Sequence, residues 1–157
     1  MEKDPTQIGL YTIERRIGQG GMGVVYEAFT PTRTRVALKV LNSTALLDPL
    51  SLRRFRQEIV TARRVPTWCT AEILYADVDN DPAYYVSEYI DGPSIEDLVK
   101  QPDPIPPADL NRLAVGVAGA LAAIHREGVI HRDLTPQNII LGPYGPRVID
   151  LGVALLQ

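Results

Sequence analysis

The residues best suited to chemistry fall in four stretches. His131-Arg132-Asp133-Leu134-Thr135-Pro136-Gln137-Asn138 sets an aspartate five residues before an asparagine. In a loop between two short strands, that pair can offer a carboxylate to a hydroxyl proton and an amide oxygen to a hard metal ion. Twelve residues after Asn138, Asp150-Leu151-Gly152 supplies a second metal-ligating carboxylate followed by a flexible glycine. Nearer the start, Gly18-Gln19-Gly20-Gly21-Met22-Gly23 fits G-x-G-x-x-G, and Val25 extends it to G-x-G-x-x-G-x-V. Such a turn lets backbone N–H groups approach phosphate oxygens. Alone it is explained as well by a Gly-rich hairpin, and a strand rather than a helix is expected after it, which argues against a dinucleotide fold. Lys39, in Val36-Ala37-Leu38-Lys39-Val40, shares a strand face with Ala37; by itself it reads as a solvated edge residue. Glu58, nineteen residues on, by itself reads as a helix surface residue. Together the two suggest an ion pair that aims the lysine at phosphates.

The elements that must position these groups follow from periodicity. Short-period apolar and β-branched positions predict strands over Leu10 to Ile17, Val24 to Phe29 and Arg35 to Leu41, an antiparallel meander. Leu52, Phe55, Ile59 and Ala62 recur at helical spacing with Arg, Gln and Glu between them, and Pro66 lies just beyond, so Leu50 to Arg64 should be an amphipathic helix. Strands near Glu72 to Val78 and Tyr84 to Glu88 would extend the sheet. Asp91-Gly92-Pro93 breaks the pattern, which sets a lobe boundary there: 1–10 as a lead, 11–90 as one lobe and 91–157 as the next. A short helix (Ile95 to Lys100) and a long one (Pro107 to Glu127, ended by Gly128) follow, then short strands at Val129 to His131, Ile139 to Leu141 and Arg147 to Ile149. Leu110, Leu113, Val117, Leu121 and Ile124 form the long helix's main stripe, but Leu113 to Ile124 is apolar all round and calls for neighbours on every side.

Composition narrows the classes. With 157 residues, 45% hydrophobic and 22% charged, the chain is one packed domain's worth of sequence. Sixteen Lys plus Arg against nineteen Asp plus Glu give a net charge of -3, so no nucleic-acid partner is expected. Cys69 is alone, which excludes an internal disulfide and a multi-thiolate metal site and reads as a small buried hydrophobe. The polar start gives no signal peptide, so a cytoplasmic location is expected. The apolar run Leu113 to Ile124 falls well short of the roughly 20 residues a bilayer span needs.

Taken together and in order, the Gly-rich loop, the V-A-L-K strand, Glu58, the hinge-like Ser87-Glu88-Tyr89-Ile90-Asp91-Gly92, the H-R-D-L segment and Asp150-Leu151-Gly152 resemble the protein kinase family, specifically the bacterial serine/threonine kinases of eukaryotic type. The resemblance covers the chain from about Tyr11 onward. It implies an α+β fold: a first lobe of antiparallel sheet with one helix, then a truncated, mainly helical second lobe. It also implies that Gly18, Gly20 and Gly23 cover the phosphates of ATP, with Ile17, Gln19, Gly21 and Met22 completing that loop. Lys39, paired to Glu58, would hold the α- and β-phosphates. Backbone groups near Glu88 and Ile90 would bind adenine, and Val25, Ala37 and Ile140 would sandwich it. Asp133 would accept the substrate hydroxyl proton, Asn138 and Asp150 would hold Mg²⁺, and Arg132 would pair with an activation-loop phosphate.

Two residues depart from the family pattern. Thr135 stands where a lysine usually contacts the transferred phosphate, and Leu151 replaces the usual Phe. Only five residues follow Gly152, so the activation loop, the A-P-E segment and the later helices are not expected here, and the apolar helix they would surround calls for self-association or a missing partner segment, or else leaves the second half poorly folded. Two functions stay open: an ATP-dependent protein serine/threonine kinase acting on Ser/Thr of a protein substrate, in truncated form, and a pseudokinase fragment that binds nucleotide or a partner without transfer. A longer form could carry a membrane anchor.

Overall fold

The computed structural model describes residues 4–21, 23–103, 105–151 and 155–156, with the backbone alone at 44, 155 and 156. The chain divides into two compact units, Met1–Ile59 with Glu72–Tyr89, and Val60–Ala71 with Ile90–Gln157. The second boundary falls one residue from the expected 90/91. The first unit also includes the lead, whereas residues 60–71 go to the second.

In the first unit, β1 (Gln7–Ile8), β2 (Tyr11–Gln19), β3 (Gly23–Phe29), β4 (Arg35–Leu41), β5 (Ile73–Asp77) and β6 (Tyr84–Glu88) form one antiparallel sheet in the order β1-β2-β3-β4-β6-β5. Strand alternation sorts its residues onto two faces. One face packs Tyr26, Ala28, Val36, Leu38, Tyr84 and Val86 with Ile8 of β1. The lead is tied down there: the Ile13 N–H donates to the Thr6 carbonyl at 3.0 Å, and Arg16 and the Tyr26 hydroxyl both reach the Asp4 carboxylate. The opposite face carries Leu41, Ala83 and Tyr85, against which α1 (Ser43–Leu46) places Ala45 and α2 (Pro49–Arg64) places Phe55 and Ile59. Asp48 caps α2 by accepting the N–H groups of Leu50 and Ser51, with proline next in line where a missing N–H costs nothing.

The second unit holds α3 (Ile95–Val99), α4 (Pro107–Arg126), β7 (Val129–Ile130), β8 (Ile139–Gly142), β9 (Gly145–Val148) and β10 (Leu155–Leu156). Ser94 and Asp97 form a reciprocal capping box at α3. β8 and β9 make a hairpin across Pro143-Tyr144, and β10 pairs antiparallel with β7. Residues 66–70 belong here because they are bonded to β9: the Val148 N–H donates to the Cys69 carbonyl at 2.8 Å, and Arg147 donates to the Thr67 and Thr70 carbonyls. Cys69 is buried, and burial pushes its thiol up, as expected of an inert apolar cysteine. Gly116 lets α4 lie close on β9, since a Cβ there would sit 2.7 Å from the Pro146 ring.

Along α4 the expected stripe is buried only in part. Leu113, Ala120, Ala123 and Ile124 are buried, Val117 and Leu121 half-buried and Leu110 exposed. The reverse side, with Ala114, Val115, Ala118 and Ala122, is exposed. No described helix is long and apolar enough to cross a membrane.

Phe55 has no solvent exposure and its ring lies 5.3 Å from that of Tyr85. Urea denaturation of Phe55→Ala is expected to show a loss of about 3–5 kcal/mol. Leu47→Ala, at a side chain 86% exposed, should shift stability by less than about 0.5 kcal/mol.

Candidate functional site

In the first unit the cation sits where the strand pattern requires. Register sets Val25 opposite Lys39, Glu27 opposite Ala37, and Tyr85 and Ser87 opposite Lys39 and Ala37, so these six residues share one face of the sheet. Lys39 is 8% exposed and Glu58, from α2, is 2% exposed. Lys39 Nζ donates to both Glu58 oxygens, at 2.7 and 3.0 Å, and the Tyr85 hydroxyl donates to Oε1 at 2.7 Å. Two charges taken this far out of water cost several kcal/mol each before their attraction offsets it. The three bonds to one carboxylate hold the lysine terminus in place.

The Gly-rich loop joins β2 to β3. Two register shifts in that pair, at Ile13/Arg15 and Arg16/Gly18, twist the hairpin ahead of the turn, and Gly20 and Gly23 exchange backbone hydrogen bonds at 2.9 and 3.3 Å. The glycines differ in what they permit. At Gly23 a Cβ would collide with the Val40 carbonyl oxygen of β4, whereas at Gly20 and Gly21 it would meet nothing within 4 Å. Gly23 is therefore required by the sheet, while Gly20 and Gly21 leave open space beside the backbone. Ile17 and Gln19 are exposed on β2, and Val25 and Ala37 are half-buried on the Lys39 face. Met22 lies outside the described residues.

In the second unit the loop carrying Asp133 is bolted by main-chain bonds. His131 is 3% exposed; its Nδ1 accepts the Asp133 N–H at 3.3 Å, which puts the ring proton on Nε2, and Nε2–H donates to the Ile149 carbonyl at 3.1 Å. Asn138 Nδ2 donates to the Asp133 carbonyl at 2.9 Å, and the Ile149 N–H donates to the Asn138 carbonyl at 2.8 Å. The Asp133 loop and the chain entering Asp150 are thus one hydrogen-bonded body. Arg132 and Asp150 both adopt left-handed backbone, with φ of 66° and 60°, a conformation that costs a non-glycine residue about 1 kcal/mol or more. Asp133 and Asp150 are exposed, Ile140 on β8 is half-buried, and Leu151 is 2% exposed. Gly152 lies outside the described residues.

Among the described residues no three His, Cys, Asp or Glu side chains gather into a closed metal site. Asn138 and Asp150 nevertheless fit Mg²⁺ by donor type. Both offer hard oxygens, and Mg²⁺ takes one or two such protein ligands with water and substrate phosphates supplying the rest.

Sequence periodicity did not reveal Tyr85, which is legible as a site residue only once β6 is known to flank β4. Glu27 was missed as well. It is 5% exposed on β3, and Arg35 Nε donates to its Oε1 at 2.6 Å while Arg15 Nη2 approaches Oε2 to 2.7 Å. The period-two pattern marks Glu27 as a polar position on the Lys39 face, but not as buried.

Removing one member of a buried pair exposes its cost. Lys39→Met should destabilise by about 3–5 kcal/mol because Glu58 is left buried with one partner fewer. The double variant Lys39→Met with Glu58→Leu should recover most of that loss, and the cycle is read by denaturant titration. Glu27 gives a pH signature. The Arg35 hydrogen bond, against desolvation and with help from both arginine charges, holds its carboxyl below the ordinary value of 4.5. A depressed folded pKa means stability that is fully present above the unfolded value and lost as pH falls through the folded one. Below pH 4.5, stability should therefore fall less steeply with acidification in Glu27→Gln than in the parent, as measured by melting temperature against pH.

Comparisons with known proteins agree with this geometry. A family profile described as the protein kinase domain matches residues 11–156. The probable serine/threonine-protein kinase PkwA of Thermomonospora curvata is 42% identical over 151 residues, covering 96% of this chain and 20% of the relative. The serine/threonine-protein kinase AfsK of Streptomyces coelicolor is 39% identical over 153 residues, covering 98% and 19%. A crystal structure of the Mycobacterium tuberculosis PknI kinase domain superposes with a TM-score of 0.73 at 28% identity, over 98% of this chain and 64% of that one. The chain thus spans about a fifth of the length of these curated relatives. Its folded elements and its ordered motifs make it a member of the protein kinase family, of the bacterial serine/threonine type that resembles the eukaryotic enzymes.

Proposed function

We propose that these residues encode an ATP-dependent protein serine/threonine kinase activity, with each unit supplying part of the chemistry. The single observation that carries the reading is the buried Lys39–Glu58–Tyr85 assembly, because a cation fixed by two bonds to a carboxylate that a tyrosine also holds is suited to holding phosphate oxygens. Lys39 binds the α- and β-phosphates, and the backbone of Gly18 to Gly23 covers them. Val25, Ala37 and Ile140 contact the adenine ring, and backbone groups of Glu88 and Ile90 bond its edge. Asn138 and Asp150 hold Mg²⁺, which when bound neutralises charge on the β- and γ-phosphate oxygens. Asp133 orients the acceptor hydroxyl and takes its proton as the serine or threonine oxygen bonds to the γ-phosphorus. The bond from that phosphorus to the β,γ-bridging oxygen breaks, and ADP leaves.

Thr135 supports a second reading, a nucleotide-binding module without transfer. It puts a neutral hydroxyl where the family usually has a cation, and losing a comparable preorganised partner costs about 10² to 10³ in rate. Retention of Lys39, Glu58, Asp133, Asn138 and Asp150 favours the enzyme, since nucleotide binding alone makes no use of Asp133. The substrate class is a protein bearing Ser or Thr, the proposed location is the cytoplasm, and the exposed side of α4 is the surface through which copies would associate.

The test is incubation with labelled MgATP and a generic Ser/Thr protein, beside Asp133→Asn. Transfer that falls at least about 100-fold in the variant supports the kinase. A rise in melting temperature with MgATP but no transfer by the parent supports the binder.

A further inference from the structure

The sheet face that carries Lys39 holds a second buried carboxylate with the same kind of company. Lys39 and Arg35 lie four residues apart on β4, and Tyr85 and Tyr89 lie four apart on β6 and its extension. Strand register places Lys39 opposite Tyr85 and Ala37 opposite Ser87, and carried two residues further it sets Arg35 opposite Tyr89. Each end of the face therefore joins an acid to a cation and a tyrosine: Lys39, Glu58 and Tyr85 at one end, Arg35, Glu27 and Tyr89 at the other, where Arg15 of β2 adds a second cation to Glu27. The two cations stand about 13 Å apart along the strand, with Val25, Ala37 and Ser87 between them.

The second assembly differs from an ordinary cross-strand ion pair in two respects. Its carboxylate is 5% exposed, so it pays a desolvation cost that a surface pair avoids. Its arginine also reaches beyond the strand: Arg35 Cζ lies 3.9 Å from the Tyr89 ring centroid, a stacked cation–π contact. Arg35 is thereby oriented twice, by the Glu27 bond at 2.6 Å and by the ring. Tyr89 follows Glu88, whose N–H is bonded to the Glu72 carbonyl at 2.9 Å, so two successive residues of this segment are fixed. Glu88 is one of the two residues assigned above to the adenine edge, and Tyr89 lies between it and the other, Ile90.

We propose that Arg35 and Tyr89, held in place by Glu27, are positioning residues that set the backbone at 88–90 for the nucleobase and so tune base affinity independently of the phosphates. This rests on the nucleotide-binding reading above. It predicts that the two ends of the face are separable by ligand, with one serving the triphosphate and the other the base.

The experiment is calorimetric titration of the full chain with MgATP and with magnesium tripolyphosphate, which has the phosphates and no base. Arg35→Met and Tyr89→Leu should each weaken MgATP binding about tenfold and leave tripolyphosphate within about twofold of the parent. Tyr89→Phe keeps the ring and should keep the parent's MgATP affinity, which a loss of bulk alone would not explain. Lys39→Met should weaken both ligands. If Arg35→Met and Tyr89→Leu lose both ligands in parallel, or lose neither, the positioning role is wrong while nucleotide binding stands. Should Arg35→Met not fold, the Tyr89→Leu and Tyr89→Phe pair decides alone. A parent that binds no MgATP overturns the kinase reading and this proposal with it.

Discussion

Burying Lys39 against Glu58 is the constraint on which the first unit is arranged. An apolar pair of similar volume would be as stable or more so, since the attraction of two buried charges roughly offsets their desolvation. The charges are thus better explained by what they hold than by what they stabilise. Holding them requires α2 to present Glu58 at one point above β4, and that in turn requires Phe55 and Ile59 to seat the helix on Leu41, Ala83 and Tyr85. Tyr85 belongs to both networks. Its ring packs against Phe55 while its hydroxyl donates to Glu58.

The two units fix their functional groups by different physics. In the first, side chains do it: buried carboxylates collect hydrogen bonds from a lysine, arginines and a tyrosine in a setting of low dielectric. In the second, neutral side chains bonded to main-chain groups do it. His131 is a bridge between the Asp133 N–H and the Ile149 carbonyl, and Asn138 ties both its side chain and its own carbonyl into the same body. Asp133 and Asp150 consequently stay exposed while the chain that carries them is fixed.

Much of this was legible because strand and helix periods were strong. The strands from Tyr11 to Glu88, α2, α4 and the β8–β9 hairpin fall where apolar spacing and turn residues put them. What periodicity could not carry was pairing. β1 is two residues long and gives no period, yet Ile8 joins the core and Asp4 engages Arg16. Residues 60–71 read as an interior part of the first lobe, but the carbonyls of Thr67, Cys69 and Thr70 accept hydrogen bonds from β9, a long-range fact with no local signal. Tyr85 and Glu27 show the same limit at the site. Alternation marks the face each one occupies, while burial and partner depend on which strands are neighbours.

α4 poses the remaining problem of balance. Its small residues let it pack closely, as Gly116 does on Pro146, and one side is well covered. The other side exposes Ala114, Val115, Ala118 and Ala122, and Val115 is 74% exposed. Residues this small bury little area each, so the free energy at stake per residue is under that of a leucine. The helix is held instead through Leu113, Ala120, Ala123 and Ile124 and through buried Val129 directly after it. The helix packs on β7, which leads into the Asp133 loop, and on β9, which leads to Asp150, so the packing that keeps α4 folded is also the packing that supports those two segments. A ligand or partner covering the exposed side would therefore add stability to α4 without any need to rearrange the His131 bridge.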